Sequence, residues 1–399
     1  MTTMPTGTVQ PASLDWVEKL VRLDTTSRES NLGLIEMVRD YLQGCGISSH
    51  LTYDRFGKKA NLFATVPAAS GKTTGGVILS GHTDVVPVDG QKWDTDPFKP
   101  LLKDGKLYGR GTCDMKGFIG VALGLLPAMQ KAPLASPIHF ALSYDEEIGC
   151  AGAPSMIAEL NERGVRPDGC IVGEPTSMRV VVAHKGINAY QCCVRGHAAH
   201  SSLTPKGVNA IEYAARLICY IHDLAEKFKQ EGPFDEAFDV PFSTAQTGVI
   251  KGGIAVNTIP SLCEFVFEFR NLPGVDASPI YQQIVDFAQG TLVPKMRRTH
   301  AEADITFEKI STAPPLDAAE QAAITELVRA LRRDNDIRKV AYATESGLFQ
   351  AAGIPSILVG PGNIEQAHKA NEFVELEQLA QCEAFLQKLI VSQSSAQPT

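Results

Sequence analysis

Hydrophobic runs and amphipathic segments alternate over most of the chain. "LDWVEKLVRL" has the apolar spacing of one helix face, and "GFIGVALGLLPAMQ" predicts an apolar helix. Short apolar runs predict buried strands at "VILS", "IHFALS", "CIVG" and "SILVG". Because helices separate these strands, the pattern predicts an α/β domain whose mixed, mostly parallel sheet is flanked by helices.

A different pattern occupies the middle of the chain. "INAYQCCVRG" and "CEFVFEFRN" have strand character, and the helical segment "NAIEYAARLICYIHDLAEKF" lies between them. This combination predicts a small α+β domain with an antiparallel sheet. Since the first pattern returns afterwards, we interpret residues 186–292 as an insertion into a domain formed by residues 1–185 and 293–399.

Composition excludes several classes of protein. The 399 residues exceed one ordinary core, and 44% hydrophobic with 21% charged residues is typical of a soluble globular enzyme. The net charge of -8 argues against a nucleic-acid partner, and no apolar run is long enough to span a membrane. "MTTMPTGTVQPAS" lacks the pattern of a secretory signal, and nine scattered cysteines predict reduced thiols. We therefore expect a cytoplasmic protein.

Acidic and imidazole side chains follow several predicted strands. In "SYDEEIGCAG", three successive acids come directly after a buried run, although adjacent like charges repel. Because the carboxyl ends of parallel strands meet at one edge of a sheet, we expect such side chains to converge there. The candidate residues are His82, Asp84, Asp114, Glu146, Glu147, Glu174 and His368.

The residue types suit a site for two metal ions. Two histidines and three carboxylates serve two cations only if one carboxylate bridges them, at a separation of about 3.5–4 Å. Mixed imidazole and carboxylate favours zinc, with cobalt or manganese as alternatives. Asp84 is placed to orient His82, and one of the paired glutamates is left as a general base. Taken singly, each residue also fits a structural role, such as a turn residue for His82 or a helix cap for Asp114.

Four ordered motifs resemble the co-catalytic zinc amidohydrolase family: "SGHTDVVPVDGQKWDTDPF", "LYGRGTCDMKGFIG", "SYDEEIGCAGA" and "VGEPT". The resemblance spans nearly the whole chain. It implies a zinc-exopeptidase-like catalytic domain with two Zn²⁺ per subunit and Co²⁺ as a possible substitute. It also implies these roles: His82 and Glu174 hold one ion, Glu147 and His368 the other, Asp114 bridges, Glu146 is the general base and Asp84 orients His82. In this family the peptide bond after the bridging residue, here Asp114–Met115, is typically cis.

The insertion resembles the lid and dimerisation domain of the family, which implies a homodimer formed through it. His200 in "RGHAAHSSLTPKGVNA" matches a histidine that reaches the partner subunit's active site and stabilises the oxyanion. Asn257 in "AVNTIP" and Arg270 in "FEFRNLPG" match positions that bind the substrate carboxylate. A surface charge at a strand end is the alternative for Arg270.

The segment "TESGLFQAAGIPSILVGPGNIEQAHKANEFVE" resembles the branch of the family that removes acetyl from N2-acetylornithine. The implied partner is therefore a small N-acyl amino acid. We expect Glu345 in "TESG" to receive the ammonium group of such a substrate. The desuccinylase, aminoacylase and peptidase branches remain alternatives, and a non-catalytic dimeric scaffold is the alternative of another class.

Overall fold

The computed structural model describes residues 12–394, and these form two compact units. The first unit contains residues 12–183, 316–338 and 344–394, and the second contains 184–315 and 339–343. Residues 1–11 and 395–399, which the sequence analysis assigned to the ends of the first domain, lie outside the described residues. Most of the segment considered for a secretory signal therefore also lies outside them.

The first segment of the first unit supplies most of its elements. Its helices are α1 (Leu14–Val21), α2 (Leu32–Gly44), α3 (Lys116–Gly124), α4 (Leu126–Lys131) and α5 (Ala153–Glu162). Its strands are β1 (Ser49–Tyr53), β2 (Ala60–Val66), β3 (Val77–His82), β4 (Leu101–Lys103), β5 (Lys106–Tyr108), β6 (Ile138–Ser143) and β7 (Gly169–Val172).

The second unit is an antiparallel sheet covered by helices. After β8 (Ala183–His184) it contains β9 (Ile187–Arg195), α6 (Ala210–Glu231), β10 (Thr244–Gly252), β11 (Leu262–Arg270), α7 (Ala277–Asp286), α8 (Val293–Arg297) and β12 (Asp304–Ala313). The strand order is β10-β11-β9-β12, and every neighbouring pair is antiparallel. Along β11, alternate side chains from Cys263 to Phe269 are buried, so this strand presents one face to the core of the unit.

The chain then completes the first unit. Its last elements are β13 (Leu316–Asp317), α9 (Ala323–Arg332), β14 (Lys339–Val340, in the second unit), α10 (Ser346–Ala351), β15 (Ser356–Leu358), β16 (Phe373–Glu375) and α11 (Leu376–Ser392). The main sheet has the order β1-β2-β6-β3-β7-β15, in which β6, β3, β7 and β15 are mutually parallel. The antiparallel pairs are β1 with β2 and β2 with β6, so the predicted mixed, mostly parallel sheet is confirmed.

The central strands are buried because helices cover both faces of this sheet. Every residue of β3, β6 and β7 is buried, as expected for central strands of mainly apolar sequence. Side chains of α1, α2, α3 and α11 pack in one core on the sheet, whereas α5 and Phe349 of α10 belong to a second. Among residues 12–394, no helix combines the length and apolar character that crossing a bilayer needs.

The predicted end of the insertion at residue 292 is too early. β12 pairs with β9 over almost its whole length, so the second unit continues to Pro315. β12 lies at the edge of the sheet, and several of its side chains are exposed. Its sequence "DITFEKISTA" is therefore too polar for the hydrophobic pattern to identify it as part of a core.

Candidate metal centre

The main sheet brings most of the candidate residues to the carboxyl ends of its strands. His82 is the last residue of β3, Glu146 and Glu147 follow β6, and Glu174 follows β7. Asp114 lies two residues before α3, and the Asp114–Met115 peptide bond is cis, as the resemblance implies. All of these residues and His368 belong to the first unit.

Asp114 stands between two imidazoles. Its Oδ1 lies 2.9 Å from Nε2 of His82, and its Oδ2 lies 3.3 Å from Nε2 of His368. His368 Nε2 also lies 2.9 Å from Oε2 of Glu147. Ligand atoms of His82, Asp114 and Glu147 all lie within 4.8 Å of one another, which makes these three a group that could hold a metal ion. A carboxylate whose two oxygens face different imidazoles has the arrangement that bridging requires.

Glu174 adds a buried oxygen that lacks a protein partner. Its side chain is 4% exposed, and no described residue donates a hydrogen bond to Oε1. Burial raises the pKa of this carboxyl well above its usual range, and nearby Asp114 and Glu146 add to the shift. An unpartnered buried carboxylate is costly, and a bound cation would remove that cost. The donor set therefore fits divalent metal.

The cluster holds more acid than it can keep ionised in the absence of a cation. Burial, reinforced by the charge of Asp114, raises the pKa of Glu147 to about 7. Burial, with Glu147 and Asp114 nearby, raises the pKa of Glu146 to about 8. Hydrogen bonds to Asp114 and Glu147 raise the pKa of His368 to about 10. Burial acts against ionisation of Asp114, but its hydrogen bonds to the two histidines outweigh this and lower its pKa.

Asp84 contacts His82 through the main chain rather than through its carboxylate. His82 Nδ1 donates to the carbonyl oxygen of Asp84 at 2.9 Å, while the nearest carboxylate oxygen lies 3.6 Å away. Because Nδ1 is held by this carbonyl, Nε2 is the nitrogen that faces Asp114, and once it has released its proton it can serve as a ligand. The Asp84 carboxylate instead accepts from the backbone N–H groups of Glu146 and Glu147, at 3.0 and 3.2 Å, and from Ser27 Oγ at 2.7 Å. That Asp84 orients His82 stays a prediction, and the group placed to do so is its main-chain carbonyl.

The three successive acids have three different environments. The Asp145 carboxylate pairs with the Lys59 ammonium, so it is neither a ligand nor freely solvated. Glu146 Oε1 accepts a hydrogen bond from the Cys150 thiol at 3.3 Å. Glu147 faces His368. Asp145 is therefore neutralised by a lysine, Glu146 lies next to the candidate ligands, and Glu147 is one of them.

Glu345 does not lie where the sequence interpretation expected. Its side chain is fully buried, and its two carboxylate oxygens accept hydrogen bonds from Ser80 Oγ of β3 and Ser143 Oγ of β6, each at 2.6 Å. A fully buried carboxylate whose two oxygens are both hydrogen-bonded is not exposed to a substrate ammonium group. The predicted contact is therefore corrected.

The remaining predicted residues belong to the second unit. His200 is exposed, and its Nδ1 accepts from the backbone N–H of Ser202 at 3.2 Å. Asn257 is exposed, and its carbonyl oxygen accepts from the N–H of Ser201. The Arg270 guanidinium pairs with Glu268 at 3.2 Å.

Sequence reasoning missed a buried pair next to the candidate ligands. Arg110 and Glu372 are each 1% exposed and lie 2.7 Å apart. Both lie in quoted motifs, "GRGTCD" and "HKANEF", but no local pattern indicates that charges 262 residues apart are partners. The only available signal was the position of each, four residues from a candidate ligand.

Comparison with known proteins places the chain in a family. The family described as "Peptidase family M20/M25/M40" matches residues 78–392. An acetylornithine deacetylase of Pasteurella multocida (strain Pm70) is 33% identical over 370 residues, which cover 92% of this chain and 93% of that protein. An acetylornithine deacetylase of Myxococcus xanthus is 35% identical over 387 residues, covering 95% and 97%.

The fold has solved counterparts. Aminopeptidase PepT from Bacillus cereus ATCC 10987 has a TM-score of 0.70 at 19% identity and covers 97% of this chain and 100% of that one. This likeness concerns the fold alone, whereas the family match and the two relatives concern the sequence over most of its length. The chain therefore belongs to the hydrolases of peptidase family M20/M25/M40.

Proposed function

We propose that the protein hydrolyses the amide bond of N2-acetyl-L-ornithine in a metal-dependent reaction and releases L-ornithine and acetate. The observation that carries the proposal is the position of Asp114 between two imidazoles, with the carboxyl of Glu146 nearby. The substrate is suggested by the acetylornithine deacetylases that match most of the chain.

Two divalent cations are the proposed cofactors, Zn²⁺ by resemblance, with Co²⁺ as a substitute. His82 and Glu174 would hold one, Glu147 and His368 the other, and Asp114 would bridge them. Bound cations would supply an acidified water, with a pKa lowered from 15.7 towards about 7, and a Lewis acid for the amide carbonyl. The unpartnered oxygen of Glu174 supports this ligand set, because a cation would satisfy it.

Glu146 is the proposed general base. Its carboxylate takes a proton from the attacking water as the water oxygen bonds to the acyl carbon. It later delivers this proton to the amide nitrogen, so that the C–N bond breaks and acetate and the free amine are released. The thiol of Cys150 is a weak donor, and the carboxylate that accepts from it keeps most of its basicity. The backbone N–H bonds to Asp84 hold the Glu146–Glu147 segment in place.

The second unit would supply substrate contacts. Nδ1 of His200 accepts a hydrogen bond, so its proton is on Nε2, and that N–H is a suitable donor to a developing oxyanion. By resemblance, His200 would act at the active site of the partner subunit, while Asn257 and Arg270 would bind the substrate carboxylate. Arg270 presents a planar fork of donors, and the pairing with Glu268 would hold that fork in place.

A homodimer formed through the second unit is part of the proposal. β10 lies at an edge of its sheet, where unpaired backbone groups can accept another strand. On it, Val249 and Ile250 are about half exposed, and the loop that follows exposes Ile254 and Val256 almost completely. Contiguous exposed apolar side chains mark interaction surfaces. The nine free cysteines support a reducing, cytoplasmic location.

A substrate panel tests the activity. The zinc-loaded enzyme is assayed with N2-acetylornithine, succinyl-diaminopimelate and N-acetylmethionine, and acetylornithine is expected to have the highest kcat/KM. The corrected placement of Glu345 removes one argument for a basic substrate, so this ranking decides between branches of the family. A higher value for either competitor would assign the protein to that branch, and the absence of both bound metal and hydrolysis would favour the scaffold.

A further inference from the structure

A buried ion pair flanks two of the proposed metal ligands in the sequence. Arg110 precedes Asp114 by four residues, and Glu372 follows His368 by four. Their side chains are each 1% exposed, and Nη1 of Arg110 lies 2.7 Å from Oε2 of Glu372. A buried ion pair of this kind is weak evidence for stability, because desolvation offsets its attraction. Its other contacts indicate a different role.

Glu372 fixes the main chain that leads to Asp114. Its Oε2 accepts from the backbone N–H of Gly111 at 3.0 Å, and its Oε1 accepts from those of Cys113 and Asp114 at 2.8 and 3.1 Å. Charge-assisted hydrogen bonds are stronger than neutral ones, and here three of them share one carboxylate. The loop therefore cannot shift relative to Glu372 unless several of these bonds break.

Arg110 extends the same cluster to His368. Its Nη2 donates to Oε1 of Gln91 at 2.7 Å, and Nε2 of Gln91 donates to the carbonyl oxygen of His368 at 2.9 Å. Arg110 Nη1 also donates to the carbonyl oxygen of Lys369 at 3.3 Å. The indole N–H of Trp93 donates to the same Gln91 oxygen at 3.0 Å, and this holds the amide in one orientation.

His368 needs such support because its φ is +63°. A side chain other than glycine persists in this left-handed region only where its surroundings hold it. Gln91 and Arg110 donate to two successive main-chain carbonyl oxygens, those of His368 and Lys369, and so restrain the backbone at His368. One connected cluster thus holds the backbones of two proposed ligands that lie 254 residues apart in the sequence.

We propose that Glu372, Arg110 and Gln91 form a positioning cluster that sets the spacing between Asp114 and His368 and thereby the affinity for metal. The inference rests on the proposed function, since it needs these two residues to be ligands. The three side chains are positioning residues, because none of them contributes an atom to the predicted ligand set. Substitution of such supporting residues typically weakens metal binding by about 10- to 100-fold.

The experiment compares Glu372→Gln, Arg110→Met and the double variant with the wild type. Each protein is first stripped of metal, and its melting temperature is measured by calorimetry. The affinity and stoichiometry of Zn²⁺ binding are then measured by competition with a chelator. The visible spectrum of the Co²⁺ form reports the coordination geometry of the metal site. Each single variant leaves a buried charge without its partner and is expected to melt at a lower temperature. The double variant removes both charges, so its melting temperature is expected to recover in part.

The double variant separates positioning from a structural ion pair. The proposal expects its metal affinity to stay about 10- to 100-fold below the wild type, because an amide cannot accept from all three backbone donors as a carboxylate does. Its Co²⁺ spectrum should also differ from that of the wild type. Recovery of both melting temperature and wild-type affinity would overturn the proposal.

Two further variants complete the test. Gln91→Leu leaves the ion pair intact and is expected to weaken the binding of one of the two ions more than that of the other. If this variant bound both ions as the wild type does, the proposal would also be overturned. This result can be obtained even if the double variant fails to fold. Asp168→Asn is the matched control, because Oδ2 of Asp168 also accepts from a backbone N–H, that of Gly76, just before β3. It should lower the melting temperature without changing metal affinity. If the wild type itself binds no metal, the proposed function fails, and not only the positioning role.

Discussion

Substitution of Gly173 by alanine tests the packing that places Glu174. Gly173 follows β7 directly, and a Cβ atom at this position would lie 1.9 Å from Cγ of Phe118 and 2.1 and 2.4 Å from its Cδ atoms. Carbon atoms in contact are separated by about 3.5–4.0 Å. The ring or the strand end would therefore have to move by roughly 1.6–2.1 Å, which is this contact distance less the 1.9 Å separation.

The packing around Gly173 leaves no room for this movement without a cost in free energy. Phe118 is 1% exposed within the main core. Gly360 also lies so close to Gly173 that a Cβ on Gly360 would be 2.0 Å from the carbonyl oxygen of Gly173. Overpacking of a core costs about 1–3 kcal/mol, and a rigid ring and a fixed strand end place this case at the upper end. Since Glu174 is the next residue, its carboxyl should move as well, so metal affinity should fall together with stability.

Chemical denaturation of the metal-free protein measures the first effect, and zinc titration the second. Gly44→Ala is the control, because no atom lies within 4 Å of the added carbon, and it should be neutral or stabilise α2 by up to about 1 kcal/mol. In a double-mutant cycle, Phe118→Ala should make room for the methyl group, so that the extra cost of Gly173→Ala falls towards zero. If Gly173→Ala changed neither stability nor zinc affinity, Glu174 would not be held by this packing.

Other predictions concern the site and the assembly. Glu146→Gln should lower kcat by about 10²- to 10⁴-fold while metal analysis still finds both ions; metal content that falls in step with activity would contradict the role of general base. Burial gives Glu147 and Glu146 pKa values of about 7 and 8, above their usual value, so the folded metal-free protein binds more protons than the unfolded chain between about pH 4.5 and 8. The melting temperature of the metal-free protein should therefore fall as pH rises through this window, and a melting temperature that rises with pH would refute the reasoning. Zinc binding near pH 6 should release protons, which calorimetry in buffers of different ionisation enthalpy can measure. Val256→Asp and Ile254→Asp, at side chains 101% and 91% exposed, should shift the molar mass in light scattering from dimer towards monomer while the melting curve of the monomeric unit is retained, and an unchanged mass would place any interface elsewhere.

The Arg110–Glu372 cluster also bears on how the site tolerates the absence of metal. Without cations, the carboxylates of the site must be protonated or paired with histidine, as the raised pKa values of Glu147 and His368 indicate. The backbones of Asp114 and His368 are nevertheless held by bonds that involve no metal. Because these backbones are already ordered, less conformational entropy is lost when the ions bind.

Much of this protein was determined by the sequence alone. The uninterrupted apolar runs predicted buried parallel strands, and the residues that follow them predicted where His82, Glu147 and Glu174 would converge. This works because the period of hydrophobic residues is a local property, and because the topology of a parallel sheet gathers strand ends whatever the distance along the chain.

Tertiary structure decided the contacts that local patterns do not contain. Only the folded chain places the two oxygens of Asp114 against different imidazoles, turns the carboxylate of Asp84 towards the Glu146–Glu147 segment, and buries Glu345 beneath two strand serines. The same holds for Arg110 and Glu372, and for the polar edge strand β12. In each case the partner lies far away in the sequence. Contacts of this kind leave no periodic pattern in the residues that surround either partner along the chain.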